Sequence, residues 1–369
     1  MIPVARPLLP AAAAIRPYLE RIDKTRIYSN FGPLTQELES RLARHFGLTP
    51  DCAVSAANAT VALTATLAAL SGGHGGVCLL PSWTFCASAH AVVAAGLRPH
   101  FLDVDPRSWR LTPEVVMQAV REIANVRAVM PVAPFGAPLE CEPWRELAIR
   151  TGIPVLIDAA AAFASQHVGD LPVIISLHAT KILGAGEGAI VLARDPALIT
   201  EVSRRLNFGF YGVRSASVAA FNGKMSEYSA AVGLAALDRW GDTRTAWLDL
   251  FAQYERALDA ARISRNAPTN RGLSTTLVYS FPVAAERLAS HLAGAGIGTL
   301  RWYGDGCHAE PAFAGFSHGA LSVTTALASS CLGLPCFLDL GDQELSHIVD
   351  VLARFLHSQR PISSGTAIR

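Results

Sequence analysis

Neither sign of charge is in surplus in this sequence, where 31 Lys and Arg stand against 30 Asp and Glu. A protein that grips a phosphate backbone carries a basic excess, so no nucleic-acid partner is expected. No apolar run reaches the ~20 residues of a membrane span, which excludes a membrane partner. The N-terminal stretch MIPVARPLLPAAAAIRPYLER has no charged region followed by a clean apolar one. It is interrupted by Pro3, Pro7, Pro10 and Pro17, which argues against a secretory signal. A CxxC pair is also missing. The seven cysteines (Cys52, Cys78, Cys86, Cys141, Cys307, Cys331, Cys336) are odd in number, scattered and mostly in apolar segments. That pattern speaks against a metal site or a disulfide framework and for buried free thiols in a cytoplasmic protein. There is no internal repeat, and only the tail RPISSGTAIR has the look of a disordered end.

What is present is a long, apolar chain. Its 369 residues, 51% hydrophobic and 17% charged, can bury a large core and favour about two domains. From Asn58 to Leu192, short β-branched or leucine-rich runs alternate with helical patterns, the signature of a mostly parallel sheet between helices. The spacing predicts strands at Val77–Leu80, His100–Val104, Ala128–Val132, Pro154–Ile157, Val173–Leu177 and Ala189–Leu192. It predicts helices at Cys86–Ala95, Pro113–Ala124 and Glu142–Arg150, the second opened by Thr112-Pro113. After Trp240 the rhythm changes. A long helix to about Ile263 leads through SRNAPTNRG to a strand at Ser274–Pro282, a helix at Ala284–Ala295 and a closing helix at Gln343–His357. Residues 1–237 therefore read as an N-terminal arm with a large α/β domain, and 238–369 as a small C-terminal α+β domain.

Four segments carry chemistry. In SLHATKILGAGEGAIV, a buried strand ends and Lys181 follows among apolar residues. Lysines are rarely buried without a partner, and an aldehyde cofactor supplies one by turning the amine into an imine. The alternative is a lysine whose stem lies along a loop edge. In IPVLIDAAAAF, Asp158 ends a strand too hydrophobic to be exposed, 23 residues before Lys181. Ligands of open α/β sheets sit beyond the carboxyl ends of the strands, so the two can face one crevice. A carboxylate there can pair with a pyridinium nitrogen, or it can simply cap the next helix. In AVSAANATVALTATLAALSGG, a turn at Ala57-Asn58-Ala59 precedes a helix starting near Thr60 and ending before Gly72-Gly73. Free N–H groups there suit a phosphate, with the Thr60 hydroxyl adding a bond; ordinary caps look the same. Ser176 is a second candidate phosphate ligand. In LLPSWTFCASAHAVVAAG, Trp83 and Phe85 can stack on a flat ring or pack a core.

Taken together, these segments resemble the DegT-type aminotransferases, pyridoxal-phosphate (PLP) enzymes of fold type I that mostly aminate keto sugars attached to nucleotides. The likeness runs through RIYSNFGPLTQELESRLARHFG, NATVAL, PSWTFCASAHAVVAAGLRPHFLDVD, MPVAPFGAP, LIDAAAA, SLHATKILGAGEG, FNGKMSEYSAAVGLAAL and ALASSCLGLPCFLDL. It implies a large PLP-binding domain with a mostly parallel sheet of the seven-stranded type. By position it makes Lys181 the Schiff-base and proton-moving lysine and Asp158 the partner of the ring nitrogen. It also makes Thr60 and Ser176 phosphate ligands and Phe85 the stacking ring. It implies a homodimer in which Asn222 reaches the neighbouring site.

Three positions depart from the family pattern. Ala161 stands where a Gln usually bonds the ring hydroxyl, Ala59 replaces the Gly before the phosphate Thr, and Lys224 replaces an Arg two residues after the Asn. The resemblance places Tyr28, Asn30, His178, Arg301 and Tyr303 near the keto acceptor. The implied reaction moves an amino group from a donor, glutamate, by way of pyridoxamine phosphate, to a keto group of a nucleotide-linked sugar or a related secondary-metabolite intermediate. Elimination, decarboxylation or cyclisation on the same cofactor, or a regulatory homologue without turnover, are the alternatives. The family's sugar dehydratases carry His in place of the lysine, and Lys181 argues against that branch.

Overall fold

The computed structural model describes residues 1–73 and 75–359. The disordered tail expected at RPISSGTAIR lies outside the described residues. In chain order the first half contains α1 (Ala12–Thr25), α2 (Pro33–His45), β1 (Ala53–Ala56), α3 (Ala59–Ser71), β2 (Val77–Pro81), α4 (Cys86–Ala94), β3 (Arg98–Leu102), α5 (Pro113–Glu122), β4 (Val126–Val129), α6 (Cys141–Thr151), β5 (Ile157–Asp158), β6 (Val173–Ser176) and β7 (Ala189–Leu192). Then follow α7 (Pro196–Leu206), α8 (Glu227–Asp238), α9 (Trp240–Ala260), β8 (Leu277–Ser280), α10 (Ala285–Gly294), α11 (Ser322–Ser330), β9 (Cys331–Leu334) and α12 (Asp342–Ser358). Among the described residues, no helix is long and apolar enough to cross a membrane.

The sheet forms in two hydrogen-bonded pieces, β3-β2-β4 and β5-β6-β7-β1. Parallel bridges at Val129–Val155 and Val132–Asp158 join β4 to β5. The layer thus has seven strands in the order β3-β2-β4-β5-β6-β7-β1, with β7 alone antiparallel to its neighbours. Both faces are covered, and the central strands β6 and β7 are apolar at nearly every position. Val173 and Ile175 of β6 join the core on one face while Ile174 joins the core on the other. In β7, Ile190 and Leu192 are divided in the same way from Ala189 and Val191. This two-sided burial, worth about 1.5–3 kcal/mol per large apolar side chain, is why the strands read as continuous hydrophobic runs.

The six expected strands form, β7 with the expected ends and the others with shifted ones, and two strands, β1 and β9, were not anticipated. β1 is AVSA, too short and alanine-rich to show a strand pattern, made a strand by pairing with β7 from Ala53–Leu192 to Ala56–Ala189. β3 starts at Arg98 rather than His100 and so includes Pro99. A proline is tolerated because β3 is the last strand of its sheet. Past β3, Asp103 leaves the ladder and accepts the Val323 and Thr324 N–H groups at 2.8 Å each, capping α11. The expected strand at Ser274–Pro282 shortens to β8, which pairs antiparallel with β9. We propose the domain boundary at Leu237, in the last turn of α8.

The N-terminal segment is tied down by a buried acid. The Glu227 carboxylate accepts the Leu34 and Thr35 N–H groups at 2.8 Å each and the Thr35 hydroxyl, satisfying the open N-terminus of α2. The Glu227 N–H in turn donates to the Tyr28 carbonyl at 3.0 Å. Replacing Glu227→Ala strands buried donors and lowers the free energy of unfolding by about 2–4 kcal/mol. Glu227→Gln, which keeps one acceptor, loses less. Urea denaturation of the two variants measures both.

Candidate active site

The carboxyl ends of β1, β2, β5 and β6 open on one edge of the sheet, and the connections leaving them carry several of the expected residues. α3 follows β1. Its N-cap Asn58 accepts the Val61 N–H at 3.0 Å through its side chain and the Ala62 N–H at 3.1 Å through its carbonyl. The Ala59 and Thr60 N–H groups are left without an acceptor among the described residues, as is the Thr60 hydroxyl without a partner. The turn ahead of them is held by Ala57, whose N–H donates to the Gly223 carbonyl at 2.7 Å. Sequence reasoning placed the helix start at Thr60; the structure adds Ala59 as its first residue. Ser176 ends β6, buried, and its Oγ accepts the His178 N–H at 3.3 Å.

Lys181 lies in the β6–β7 connection. Bonds from Ala179 N–H to the Gly186 carbonyl and from Ala185 N–H to the Leu177 carbonyl, both 2.7 Å, fold this loop into a rigid hairpin. Two of its glycines suit the turn: Gly186 has φ +83°, and a Cβ on Gly184 would stand 3.2 Å from the Ala179 carbonyl oxygen. From the small-domain side, the Thr275 hydroxyl donates to the Thr180 carbonyl at 2.6 Å. A cavity of about 30 Å³ beside Lys181 is closed by Ala5, Arg6, Pro7, Leu8 and Trp247. It has room for a water or two and is bordered by neither Asp158 nor Phe85.

Asp158, 4% exposed, ends β5. Its Oδ2 accepts the Ser88 hydroxyl at 2.7 Å and its Oδ1 the Ala160 N–H at 3.1 Å. Burial holds its carboxyl above the usual range, and the hydrogen bonds from Ser88 and Ala160 and the charge of Lys181 oppose that rise. Desolvation lowers the Lys181 ammonium, and Asp158 pulls the other way. The two residues thus sense each other's charge. An acid and an amine that sense each other's charge, together with unbonded N–H groups at the start of α3, are a donor set of the kind that fits PLP: a partner for the ring nitrogen, an amine for the aldehyde and a seat for the phosphate.

Aromatic side chains line the small-domain side. Phe85, at the N-cap of α4, is 53% exposed, with Trp302 edge-on at 6.4 Å. Tyr303 stacks on Phe135 at 4.7 Å and meets Trp83 edge-on at 5.5 Å. Its hydroxyl is pushed up by burial and by nearby Asp158, which brings Tyr303 to the site. Trp83 belongs to the buried wall rather than to an open stacking face.

Other expected residues lie apart from this centre or are engaged locally. Arg301 pairs with Glu286 at 2.7 Å and Asp305 at 2.6 Å. The Nδ1 of His178 meets the Thr180 hydroxyl at 2.8 Å, and its Nε2 faces Glu187 at 3.6 Å. Tyr28 is exposed and stacks on Tyr228 at 6.3 Å, and Asn30 is exposed at φ 64°. Asn222 is exposed, bridges Asn207 through its backbone and makes no side-chain hydrogen bond among the described residues. Lys224 lies over the Phe208 ring at 4.4 Å. Ala161 has no counterpart donor nearby in sequence, because Gln166 spends its amide on Leu139 and His167. Sequence reasoning missed Ser88 and Thr84, whose hydroxyls lie 2.8 Å apart; their i, i+4 spacing at a helix start was the available signal.

An open, mostly parallel α/β sheet of this order, with solved PLP-dependent aminotransferases superposing on nearly the whole chain, belongs to the fold type I class. Within that class the chain belongs to the DegT/DnrJ/EryC1/StrS aminotransferase family, whose sequence profile matches residues 11–353. The chain is 30% identical over 367 residues to the dTDP-4-amino-4,6-dideoxy-D-glucose transaminase of Shigella dysenteriae, covering 95% of this chain and 97% of that one. A Bacillus cereus ATCC 10987 protein assigned to the PLP-dependent aminotransferases superposes with a TM-score of 0.90 at 27% identity, over 95% of this chain and 99% of that one. DesI, solved in the presence of its TDP-sugar product, superposes with a TM-score of 0.84 at 28% identity, over 97% and 93% of the two chains.

The opposed shifts generate a prediction. The chain has only three lysines, Lys24, Lys181 and Lys224. In the cofactor-free protein, pH-dependent competitive acylation gives Lys181 an apparent pKa below the ordinary lysine value, since desolvation disfavours its charge. Asp158→Asn removes the charge that favours the ammonium, so the Lys181 value falls further; a rise would contradict the electrostatics described.

Proposed function

We propose that this protein transfers an amino group from glutamate to a keto carbon of a nucleotide-linked sugar, with PLP held on Lys181. The observation that carries this reading is the mutual electrostatic influence of Asp158 and Lys181 together with the unbonded N–H groups of Ala59 and Thr60. The sugar acceptor is supported by the activity named for the Shigella dysenteriae relative.

In this reading, α3 and the Thr60 and Ser176 hydroxyls bind the cofactor phosphate, and Phe85 covers the ring. The Asp158 carboxylate holds a proton on the ring nitrogen. When bound, the cofactor supplies an electron-withdrawing ring that stabilises negative charge on a substrate carbon. Lys181 Nζ, whose protonated form is disfavoured by burial, is the base that takes the proton from the donor's α-carbon. In the second half-reaction it returns a proton to the acceptor carbon. Ala161 leaves space where relatives place a larger side chain, and Tyr303 is the polar group that faces the site from the small-domain side. Tyr28, Asn30, His178 and Arg301 remain proposed acceptor contacts, and the engagement of Arg301 with Glu286 and Asp305 means that it must exchange partners to serve.

A homodimer belongs to the same proposal. Asn222 is exposed and Tyr28, Phe208, Tyr211 and Tyr228 are each about half exposed, which supports an interface through which Asn222 reaches the neighbouring cofactor phosphate.

Borohydride reduction of the protein incubated with PLP, followed by peptide mapping, places the pyridoxyl adduct on Lys181 and leaves Lys24 and Lys224 unmodified. Lys181→Arg abolishes adduct and turnover; a coloured, active Lys181→Arg variant sinks the proposal. Glutamate added to the loaded enzyme yields 2-oxoglutarate, and a panel of keto sugars on nucleotides set beside simple keto acids identifies the acceptor. Asn222→Ala weakens PLP binding about tenfold, the loss of one hydrogen bond to a charged group.

A further inference from the structure

The reaction needs Asp158 ionised and aimed at one atom, although its surroundings favour the neutral acid. The connection from β2 to α4 supplies a hydroxyl pair for this. Ser88 is 1% exposed and donates to Asp158 Oδ2 at 2.7 Å. Thr84, also 1% exposed, lies 2.8 Å from Ser88 Oγ. A carboxylate can only accept, so the single Ser88 proton is committed to Asp158, and the Thr84 hydroxyl must donate to Ser88. The chain Thr84 to Ser88 to Asp158 therefore has one direction when Asp158 is charged, and it has no exposed member that water could replace.

The same turn orients two groups. Phe85 is the N-cap of α4, and the Ser88 N–H returns to the Phe85 carbonyl at 3.1 Å. Phe85 is thrown outward, while Ser88, three residues on, points inward at Asp158. Asp158 Oδ1 is held by the Ala160 N–H at 3.1 Å, so each carboxylate oxygen has one protein donor and the rotamer is fixed from two sides.

We propose that Ser88, backed by Thr84, is a positioning residue that holds Asp158 in its charged form and in the orientation that meets the cofactor's ring nitrogen. It acts through Asp158 and touches no substrate. This inference rests on the PLP reading given above and adds a requirement to it.

The test loads PLP into wild type, Ser88→Ala, Ser88→Thr and Thr84→Val. It follows three readouts: the PLP dissociation constant, the pH titration of the bound chromophore's absorbance, and thermal melting without cofactor. A charged ring nitrogen repels a proton on the Lys181 nitrogen bonded to the cofactor, so weakening Asp158 raises that titration midpoint. Ser88→Ala raises it by about one unit and weakens PLP roughly tenfold. Ser88→Thr restores both values, and Thr84→Val falls between. An unmoved midpoint in Ser88→Ala, with lower melting alone, assigns Ser88 a merely structural role and overturns the inference. Should Ser88→Ala fail to fold, a Thr84→Val midpoint equal to wild type does the same. A wild-type protein that takes up no PLP overturns the cofactor reading itself, a result distinguishable from the other two.

Discussion

The structure turns on the electrostatic conflict between Asp158 and Lys181. Each is drawn toward its neutral form by burial and partly held charged by the other, and Asp158 is held also by hydrogen bonds from Ser88 and Ala160. A purely structural core would replace such a pair with apolar side chains at no loss, since buried charges are weak contributors to stability. Their presence at the carboxyl edge of the sheet makes sense as stored reactivity. The rest of the large domain serves their geometry. Two-sided burial of β5 and β6 fixes where the strands end, the glycine-bearing hairpin fixes where Lys181 stands, and the β2–α4 turn holds the acid.

Much of this was legible in the residues. The strands β2, β6 and β7 are apolar on both faces and could scarcely be anything else, and the large helices follow from caps and periodicity. Lys181 and Asp158 were readable because their neighbours are too hydrophobic for a charge to sit there casually. β1 was not readable: Ala53–Ala56 has no pattern of its own, and only pairing with a strand more than a hundred residues away makes it extended. Ser88 was equally silent, because a serine near a helix start has several ordinary uses and its distance to Asp158 exists only in three dimensions. Arg301 shows the converse, a side chain chemically suited to an anion that the fold has already paired with two carboxylates.

The fold also links regions that the sequence keeps apart. Glu227, in the segment after the Asn222 loop, completes the start of α2, and Asp103, just beyond β3, completes the start of α11. Thr275 reaches the carbonyl of Thr180, next to Lys181, so a residue far along the chain is tied directly to the β6–β7 hairpin rather than through the sheet.

The scarcity of lysine has its own chemical result. All but three of the 31 basic side chains are arginines, and a guanidinium, being always protonated, does not condense with a carbonyl at neutral pH. An incoming aldehyde therefore meets almost no decoy nucleophiles on this surface, and adventitious adducts of the kind that accumulate on lysine-rich proteins have few places to form.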